Sequence, residues 1–212
     1  MLPICCRSRL PNLIQHRVSV AHVSIEYYQR HAMTFFEETV VVDMSPLSGR
    51  FLPLLPDDSL ILDAGCGSGR DALAFAKLGY AVTAFDASPA LVALAEQHYG
   101  QPVQCLRFQD VAWQSEFDGI WACASLLHVP EAELPDVMQR LRNALKPQGI
   151  LYASFKYGSG EREHHGRRFT DLDESGLAAL LRQVPGLEEV ETWTTGDLRE
   201  TRDSAAWQGR VF

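Results

Sequence analysis

A short apolar segment followed at once by a glycine-rich turn constrains the fold of this chain more than any other feature. Residues 60–62 are Leu-Ile-Leu, residues 63–69 are Asp-Ala-Gly-Cys-Gly-Ser-Gly, and residues 70–78 have a helical pattern that ends at Gly79. Glycine adopts the positive φ angles that tight turns need, and it commonly follows the last residue of a helix. The pattern predicts a β-strand, a tight turn and an α-helix in succession.

The same alternation continues along the chain. Ser88 and Pro89 are typical of a helix start, and Pro147 and Gly149 are expected to stop a helix over residues 134–145. Apolar segments that predict further strands lie at residues 81–85, 103–108, 117–122 and 150–155. Such alternation predicts one doubly wound, Rossmann-like α/β domain with a mostly parallel sheet and helices on both faces. The 212 residues are enough for one such core.

Further elements flank this unit. Helical spacing predicts a helix over residues 24–39 and a shorter one over residues 45–55 before the sheet. After it come a polar stretch at residues 156–168, a helix that starts at Asp171 with Glu174 completing a capping box, and a strand at residues 188–194.

The two ends of the chain receive separate interpretations. After a turn at residues 195–197, residues 207–212 form either an antiparallel C-terminal strand or a tail that packs Trp207 on the sheet. Residues 1–24 contain two prolines and are predicted to be a disordered extension of a domain over residues 25–212.

Composition excludes several functional classes. A net charge of −8 disfavours a nucleic-acid partner, and no apolar run approaches the roughly 18 residues that cross a membrane. The five cysteines form no Cys-x-x-Cys pair, which is typical of a reducing compartment and predicts a cytoplasmic protein. His164 and His165 lack further ligands at a metal-binding spacing, so no metal is expected.

The glycine turn is the place where a ligand is expected. Ligands of doubly wound sheets bind beyond the carboxyl ends of the strands, where the strand order reverses. Asp86 ends the second predicted strand, 21 positions after Gly65, where a carboxylate can accept both hydroxyls of a ribose; helix capping is the alternative. Asp63 could equally cap the turn. The dinucleotide fingerprint would need glycine at position 70, where this chain has Arg70, and a triphosphate-binding loop is absent.

Two runs of residues carry a family resemblance. Leu-Asp-Ala-Gly-Cys-Gly-Ser-Gly-Arg-Asp at residues 62–71 and Val-Thr-Ala-Phe-Asp-Ala-Ser-Pro at residues 82–89 resemble class I S-adenosylmethionine-dependent methyltransferases. The resemblance covers residues 27–155, and within the superfamily it is nearest to small bacterial methyltransferases of the tellurite-resistance type.

The resemblance implies roles for particular residues. The glycine turn would contact the methionine part of S-adenosylmethionine, Asp86 the ribose, and Asp110 the adenine amine. The segment 123–126 would run beneath the cofactor, and the N-terminal helices would close over it, with Tyr28 and Arg50 at its amino-acid end. The predicted cofactor-binding set is Tyr28, Arg50, Asp63, Ala64, Gly65, Cys66, Gly67, Asp86, Ala87, Asp110, Val111 and Ala124.

Some of these residues have alternative interpretations. Tyr28 also suits core packing, and Arg50 could lie along an apolar helix with its charge in water. His128 is the one candidate for a residue that orients the acceptor or accepts its proton, although a histidine before Pro130 also suits a structural role.

The predicted function is transfer of a methyl group from S-adenosylmethionine to a small-molecule acceptor by direct in-line displacement. Residues 156–169 are predicted to form a mobile lid whose Arg167 and Arg168 favour an anionic acceptor. Two alternatives stay open from the sequence: a non-catalytic S-adenosylmethionine-binding or interaction module, and an NAD-dependent oxidoreductase, which Arg70 disfavours.

Overall fold

Three helices precede the sheet. A computed structural model describes residues 22–196 and 207–212. Its first elements are α1 (His22–Arg30), α2 (Ala32–Thr39) and α3 (Ser45–Phe51), which continues into a 3₁₀ turn at Leu52–Leu54. No helix of the described ranges is both long and apolar enough to cross a membrane.

The continuous helix predicted over residues 24–39 is wrong, because the chain leaves the helical conformation at His31 (φ −116°, ψ 22°). The His31 ring stacks on Tyr27 at 4.3 Å, and its Nδ1 lies 2.8 Å from the Tyr27 carbonyl oxygen. Residues 22–24 belong to α1, whereas the rest of the predicted disordered extension lies outside the described residues.

A seven-stranded sheet forms the centre of the molecule, and a two-stranded hairpin stands apart from it. The sheet order is β3-β2-β1-β4-β5-β9-β8, and the hairpin pairs β6 with β7. The strands are β1 (Leu60–Ala64), β2 (Ala81–Asp86), β3 (Val103–Cys105), β4 (Phe117–Ala122), β5 (Leu145–Lys156), β6 (Gly160–His164), β7 (Arg167–Asp171), β8 (Glu191–Thr195) and β9 (Trp207–Val211). The connecting helices are α4 (Arg70–Lys77), α5 (Pro89–Tyr99), α6 (Leu134–Ala144) and α7 (Glu174–Leu181).

The strand directions confirm the predicted doubly wound fold. Strands β1 to β5 pair in parallel, and β9 pairs antiparallel with both β5 and β8. The predicted antiparallel C-terminal strand is therefore correct. The chain builds outward from β1 to β3 and then returns to place β4 on the other side of β1, so the order reverses between β1 and β4.

Alternate residues of the central strands face two different cores. Ile120 packs with residues of α6 and α7, whereas its neighbour Trp121 packs with Phe51 and Phe75 from α3 and α4. A strand that is apolar on both faces needs helices on both, and this is the arrangement found. The Trp121 ring stacks on Tyr152 of β5 at 4.0 Å.

Several predicted boundaries are wrong. Helix α6 ends at Ala144, and Pro147 and Gly149 lie inside β5, where the pairing with β4 shifts between Phe117 and Gly119. The third strand stops at Cys105, and Phe108–Asp110 forms a 3₁₀ turn.

The region after β5 also differs from its prediction. The polar stretch at residues 156–168 forms much of the β6–β7 hairpin. Asp171 belongs to β7 and pairs with Arg162, so it does not start a helix. The cap of α7 is Asp173, whose Oδ1 accepts the backbone N–H of Gly176 at 2.8 Å.

Gly119 provides a test of the packing between β4 and the N-terminal helices. A Cβ atom at this position would lie 2.7 Å from Phe51 and 2.9 Å from Leu55. Because overpacking a core costs about 1–3 kcal/mol, Gly119→Ala should lower the free energy of unfolding by that amount in urea titrations. The control is Gly49→Ala in α3, where a Cβ meets nothing within 4 Å and stability should stay equal or rise by up to about 1 kcal/mol. Equal effects of the two variants would contradict the packing argument.

Candidate functional site

Two adjoining cavities lie beyond the carboxyl ends of β1, β2, β4 and β5. The larger, of about 580 Å³, extends from the glycine turn after β1 to the β6–β7 hairpin. The smaller, of about 110 Å³, lies between the end of β2 and the segment 106–109. Residues that line both cavities are Tyr28, Phe35, Gly65, Gly67, Ala124 and His128. The position is the point where the strand order reverses, as the sequence predicts.

The glycine turn presents its backbone to both cavities. Gly65, Gly67 and Gly69 have φ angles of 75°, 55° and 71°, a conformation that side chains disfavour. The turn is held to β2 because the N–H groups of Gly65 and Cys66 both donate to the Phe85 carbonyl at 2.9 Å. A Cβ atom on Gly65 would lie only 2.5 Å from the Cβ of Ser125. Gly65 therefore has no room for a side chain.

Asp86 ties the end of β2 to this turn. Its Oδ2 accepts the Gly67 N–H at 3.0 Å, and its Oδ1 accepts the Ser88 N–H at 2.8 Å. Burial raises the pKa of the Asp86 carboxyl above its ordinary value, although these backbone hydrogen bonds oppose the shift. A carboxylate has about four acceptor sites, so two hydrogen bonds leave capacity for a ligand in the smaller cavity that Asp86 lines.

Asp63 performs the capping role that the sequence left open, and it also lines the larger cavity. Its carboxylate accepts the N–H of Ala72 at 3.0 Å. Burial and the nearby Asp71 raise the pKa of Asp63 well above its ordinary value. Asp71 in turn accepts two hydrogen bonds from Arg70, at 2.7 and 2.8 Å, and one from the Trp121 indole at 2.9 Å. This network fixes the start of α4 beneath the turn.

Tyr28 and His128 form a hydrogen-bonded pair at the boundary of the two cavities. The Tyr28 Oη lies 2.8 Å from His128 Nε2, and His128 Nδ1 lies 2.7 Å from the carbonyl oxygen of Arg168. A carbonyl only accepts, so Nδ1 carries the proton and Nε2 accepts from the Tyr28 hydroxyl. Burial lowers the pKa of His128 to about 4, so its imidazole is neutral near pH 7.

The chain beyond β4 lies beneath the cavities. Ala124 has a φ of 52°, and its N–H donates to Ser154 Oγ at 2.8 Å. The hydroxyl of Ser125 donates to the Ala64 carbonyl at 2.7 Å, which joins this segment to the end of β1. Burial raises the pKa of the Cys123 thiol to about 12, so this thiol stays protonated and is not a nucleophile near neutral pH.

The structure brings together most, but not all, of the predicted cofactor-binding residues. Arg50 lies outside both cavities, where it pairs with Glu191 and packs 4.6 Å above the Trp193 ring. Asp110 also lines neither cavity and makes two hydrogen bonds to Arg107, at 2.7 and 3.0 Å. The predicted residues that do line a cavity are Tyr28, Asp63, Gly65, Cys66, Gly67, Asp86, Ala87 and Ala124.

Two further predicted residues contribute only to the core around the site. The side chain of Val111 is buried in the core that contains α6. Ala64 is buried at the end of β1 and contacts the site through its carbonyl alone. The side chains of these residues and of Arg50 lie away from the cavities. A predicted strand or helix does not show which way its side chains point until the neighbouring elements are known.

The hairpin supplies cavity residues from the stretch that the sequence predicts to be a mobile lid. Arg167 and Phe169 line the larger cavity together with Lys156 of β5, whereas Arg168 pairs with Glu161 at 2.7 Å. Successive side chains of a strand point to opposite faces, and this alternation in residues 167–169 is the signal that separates the two arginines. Within the described ranges, no group of three or more His, Cys, Asp and Glu side chains is arranged to hold a metal ion.

Comparison with known proteins finds methyltransferases that are similar to part of this chain. Residues 61–149 match a family model described as a methyltransferase domain. The Bacillus subtilis protein YqeM, which carries a methyltransferase name, is 31% identical over 149 residues, covering 64% of this chain and 58% of that protein. A ubiquinone biosynthesis O-methyltransferase from Xanthomonas axonopodis is 32% identical over 108 residues, covering 48% of this chain and 44% of that protein. The chain thus spans about half the length of these curated relatives.

Solved structures show the same fold. The 1,6-didemethyltoxoflavin-N1-methyltransferase of Burkholderia thailandensis, bound to S-adenosylhomocysteine, has a TM-score of 0.70 and 22% identity, with 96% of this chain and 92% of that chain covered. A TehB-like S-adenosylmethionine-dependent methyltransferase from Corynebacterium glutamicum has a TM-score of 0.65 and 21% identity, with 89% and 96% covered. The doubly wound, Rossmann-like α/β fold predicted from the sequence is confirmed, and these two methyltransferase structures share it.

The neutral state of His128 predicts a measurable acid sensitivity. An unfolded chain protonates this histidine near pH 6.5, whereas the folded chain does so only near pH 4. The unfolded state therefore binds more protons as the pH falls through this window, and stability is lost by roughly 1–3 kcal/mol from this residue.

Urea titrations at pH 7.0 and pH 5.0 of the wild type and His128→Asn test this expectation. Asparagine can keep a donor toward the Arg168 carbonyl but does not titrate, so the variant should lose less stability than the wild type between the two pH values. An equal loss in both proteins would show that His128 is not held neutral by the fold.

Proposed function

We propose that this chain, which has the class I methyltransferase fold and a methyltransferase domain at residues 61–149, is an S-adenosylmethionine-dependent methyltransferase that acts on a small-molecule acceptor. One observation carries the proposal. The Asp86 carboxylate bonds to the glycine turn at Gly67 and lines a cavity at the point where the strand order reverses. A carboxylate at this place is suited to the two hydroxyls of a ribose.

The residues present fit the cofactor. The turn at Gly65 and Gly67 excludes side chains, so a ligand can approach its backbone closely. The smaller cavity is lined by Phe108, Leu106 and Leu91 next to Asp86, which suits a flat purine ring beside a ribose. In this arrangement Asp86 would hold the ribose, and the glycine turn with Ala124 would hold the amino-acid part.

S-adenosylmethionine, when bound, supplies a methyl group on a positively charged sulfur that is already an excellent leaving group. The protein therefore has to bind, orient and exclude water rather than activate the methyl group. Tyr28 and Phe35, from α1 and α2, line both cavities and cover the turn. His128 fixes the Tyr28 hydroxyl through its Nε2 and so acts as a positioning residue for this cover.

The low basicity of His128 also bears on the kind of acceptor that the protein can use. A base with a pKa of about 4 takes up a proton poorly near pH 7, and its lone pair already accepts the Tyr28 hydroxyl. We infer that His128 is not the general base of the reaction, which suits an acceptor that arrives as an anion or a soft nucleophile. Lys156 and Arg167 line the larger cavity and support an anionic acceptor.

Several finer assignments stay predictions. The TehB-like structure from Corynebacterium glutamicum supports the tellurite-resistance type, but other methyltransferases match as well. A cytoplasmic location is in accord with Cys66, Cys105 and Cys123, which are free thiols in the structure. A non-catalytic binding module would share the cofactor site and differ by the absence of turnover.

Calorimetric titration with S-adenosylhomocysteine tests the cofactor site. The wild type should bind it with micromolar affinity and should not bind NAD. Asp86→Ala should weaken binding about 10- to 100-fold, because each hydrogen bond to a charged group contributes about 1.5–3 kcal/mol.

The matched control for Asp86→Ala is Asp136→Ala, which removes an exposed carboxylate that pairs with Arg140 and lines neither cavity. It should leave binding unchanged. Binding of NAD in place of S-adenosylhomocysteine, or equal affinities of the two variants, would contradict the proposed function.

A further inference from the structure

Arg167 is a buried cation that has no anionic partner among the residues that the structure describes. The residue is only 9% exposed, yet its Nε has no hydrogen-bond partner in this part of the chain. Within residues 22–196 and 207–212, the structure shows no ion pair to its guanidinium, although the other hairpin arginines, Arg162 and Arg168, pair with Asp171 and Glu161. Burying an unpaired charge costs free energy, so an arginine in this state indicates that its counter-ion comes from outside the fold.

Two aromatic rings contact the Arg167 guanidinium but do not neutralise its charge. Its central carbon lies 4.7 Å from the Tyr27 ring centre and 5.3 Å from that of Phe169. Both rings and Arg167 line the larger cavity, which continues to the glycine turn. Aromatic faces attract a cation but supply no acceptor for its N–H groups. The N–H groups of the guanidinium are thus held at the wall of the larger cavity.

We propose that Arg167 binds a carboxylate group of the methyl acceptor, a role that rests on the proposed function. A guanidinium pairs with a carboxylate through two parallel hydrogen bonds, and the geometry of the pair is planar. Lys156 lines the same cavity as a second cation, so the planar match between the guanidinium and a carboxylate, and not the number of charges, is the reason for proposing a carboxylate. Tyr27, Phe169 and Trp207 also line the larger cavity, so an acceptor with an aromatic or apolar body fits beside the Arg167 charge.

The proposal distinguishes two arginines that are adjacent in the sequence. Arg168 is held by Glu161 and lines neither cavity, whereas Arg167 lines the larger one. Removal of the Arg167 charge should therefore weaken carboxylate binding, and removal of the Arg168 charge should not. This pair of variants supplies a control with the same change of charge on the same strand.

The probe is benzoate, titrated into the full-length protein by calorimetry, once alone and once with saturating S-adenosylhomocysteine. Benzamide, which has the same shape without the charge, and phenyl phosphate are titrated in parallel. The wild type should bind benzoate saturably and at least 10-fold more tightly than benzamide or phenyl phosphate. Arg167→Gln should weaken benzoate binding at least 10-fold, Arg167→Lys should restore only part of it, and Arg168→Gln should bind as the wild type does.

Other outcomes would overturn the proposal. No saturable binding of benzoate to the wild type, or equal binding to Arg167→Gln, would show that the cavity has no carboxylate site at Arg167. Tighter binding of phenyl phosphate would assign the arginine to phosphate. A fall in S-adenosylhomocysteine affinity in Arg167→Gln would place Arg167 at the carboxylate of the cofactor instead.

Failure of this proposal is distinguishable from failure of the proposed function. If the wild type binds S-adenosylhomocysteine but not benzoate, the proposed methyltransferase function stands and the carboxylate site is wrong. If the wild type binds benzoate through Arg167 but not S-adenosylhomocysteine, the carboxylate site stands and the proposed cofactor is wrong. Thermal melting gives a second readout, because benzoate should raise the melting temperature of the wild type and leave that of Arg167→Gln unchanged.

Discussion

The hydrogen bond from the Gly67 N–H to the Asp86 carboxylate joins the two parts of the fold on which the site depends. The glycine turn leaves β1 and Asp86 ends β2, so this contact fixes the two strand ends relative to each other. Asp86 is bonded also to Ser88, the N-cap of α5, and so the start of that helix is set by the same carboxylate. A charge that is buried and shared between two backbone N–H groups stays oriented, which a ligand-binding carboxylate requires.

The fold could be predicted from the sequence where the signal is local. The strand, turn and helix around residues 60–78 combine an apolar run with glycines at fixed spacing, and Asp86 follows from its place at the end of the next strand. His31 shows the limit of this reasoning. Its neighbours have helical spacing on both sides, and the break arises from a contact between its ring and Tyr27 that spacing does not encode.

The part of the larger cavity beside the hairpin is harder to predict, because its residues are polar and distant in sequence. A charged stretch such as Gly160–His164 and Arg167–Asp171 has the composition of a loop, and only its pairing reveals a hairpin. The family resemblance predicts that Arg50 belongs to the site, but α3 presents this residue toward Glu191 and Trp193. The partner of Tyr28 was equally hidden, since His128 is 100 residues away along the chain.

The position of β9 has a consequence for the order in which the molecule is assembled. In the described sheet β8 bonds only to β9, although β8 precedes β9 along the chain. During synthesis β8 therefore has no strand to join until residues 207–211 have been made. The glycine turn and Asp86 lie more than 100 residues upstream, so they can form before that moment. Because Trp207 and Gly209 line the larger cavity, its wall is incomplete until these residues have been made, whereas every residue that lines the smaller cavity has been made by then.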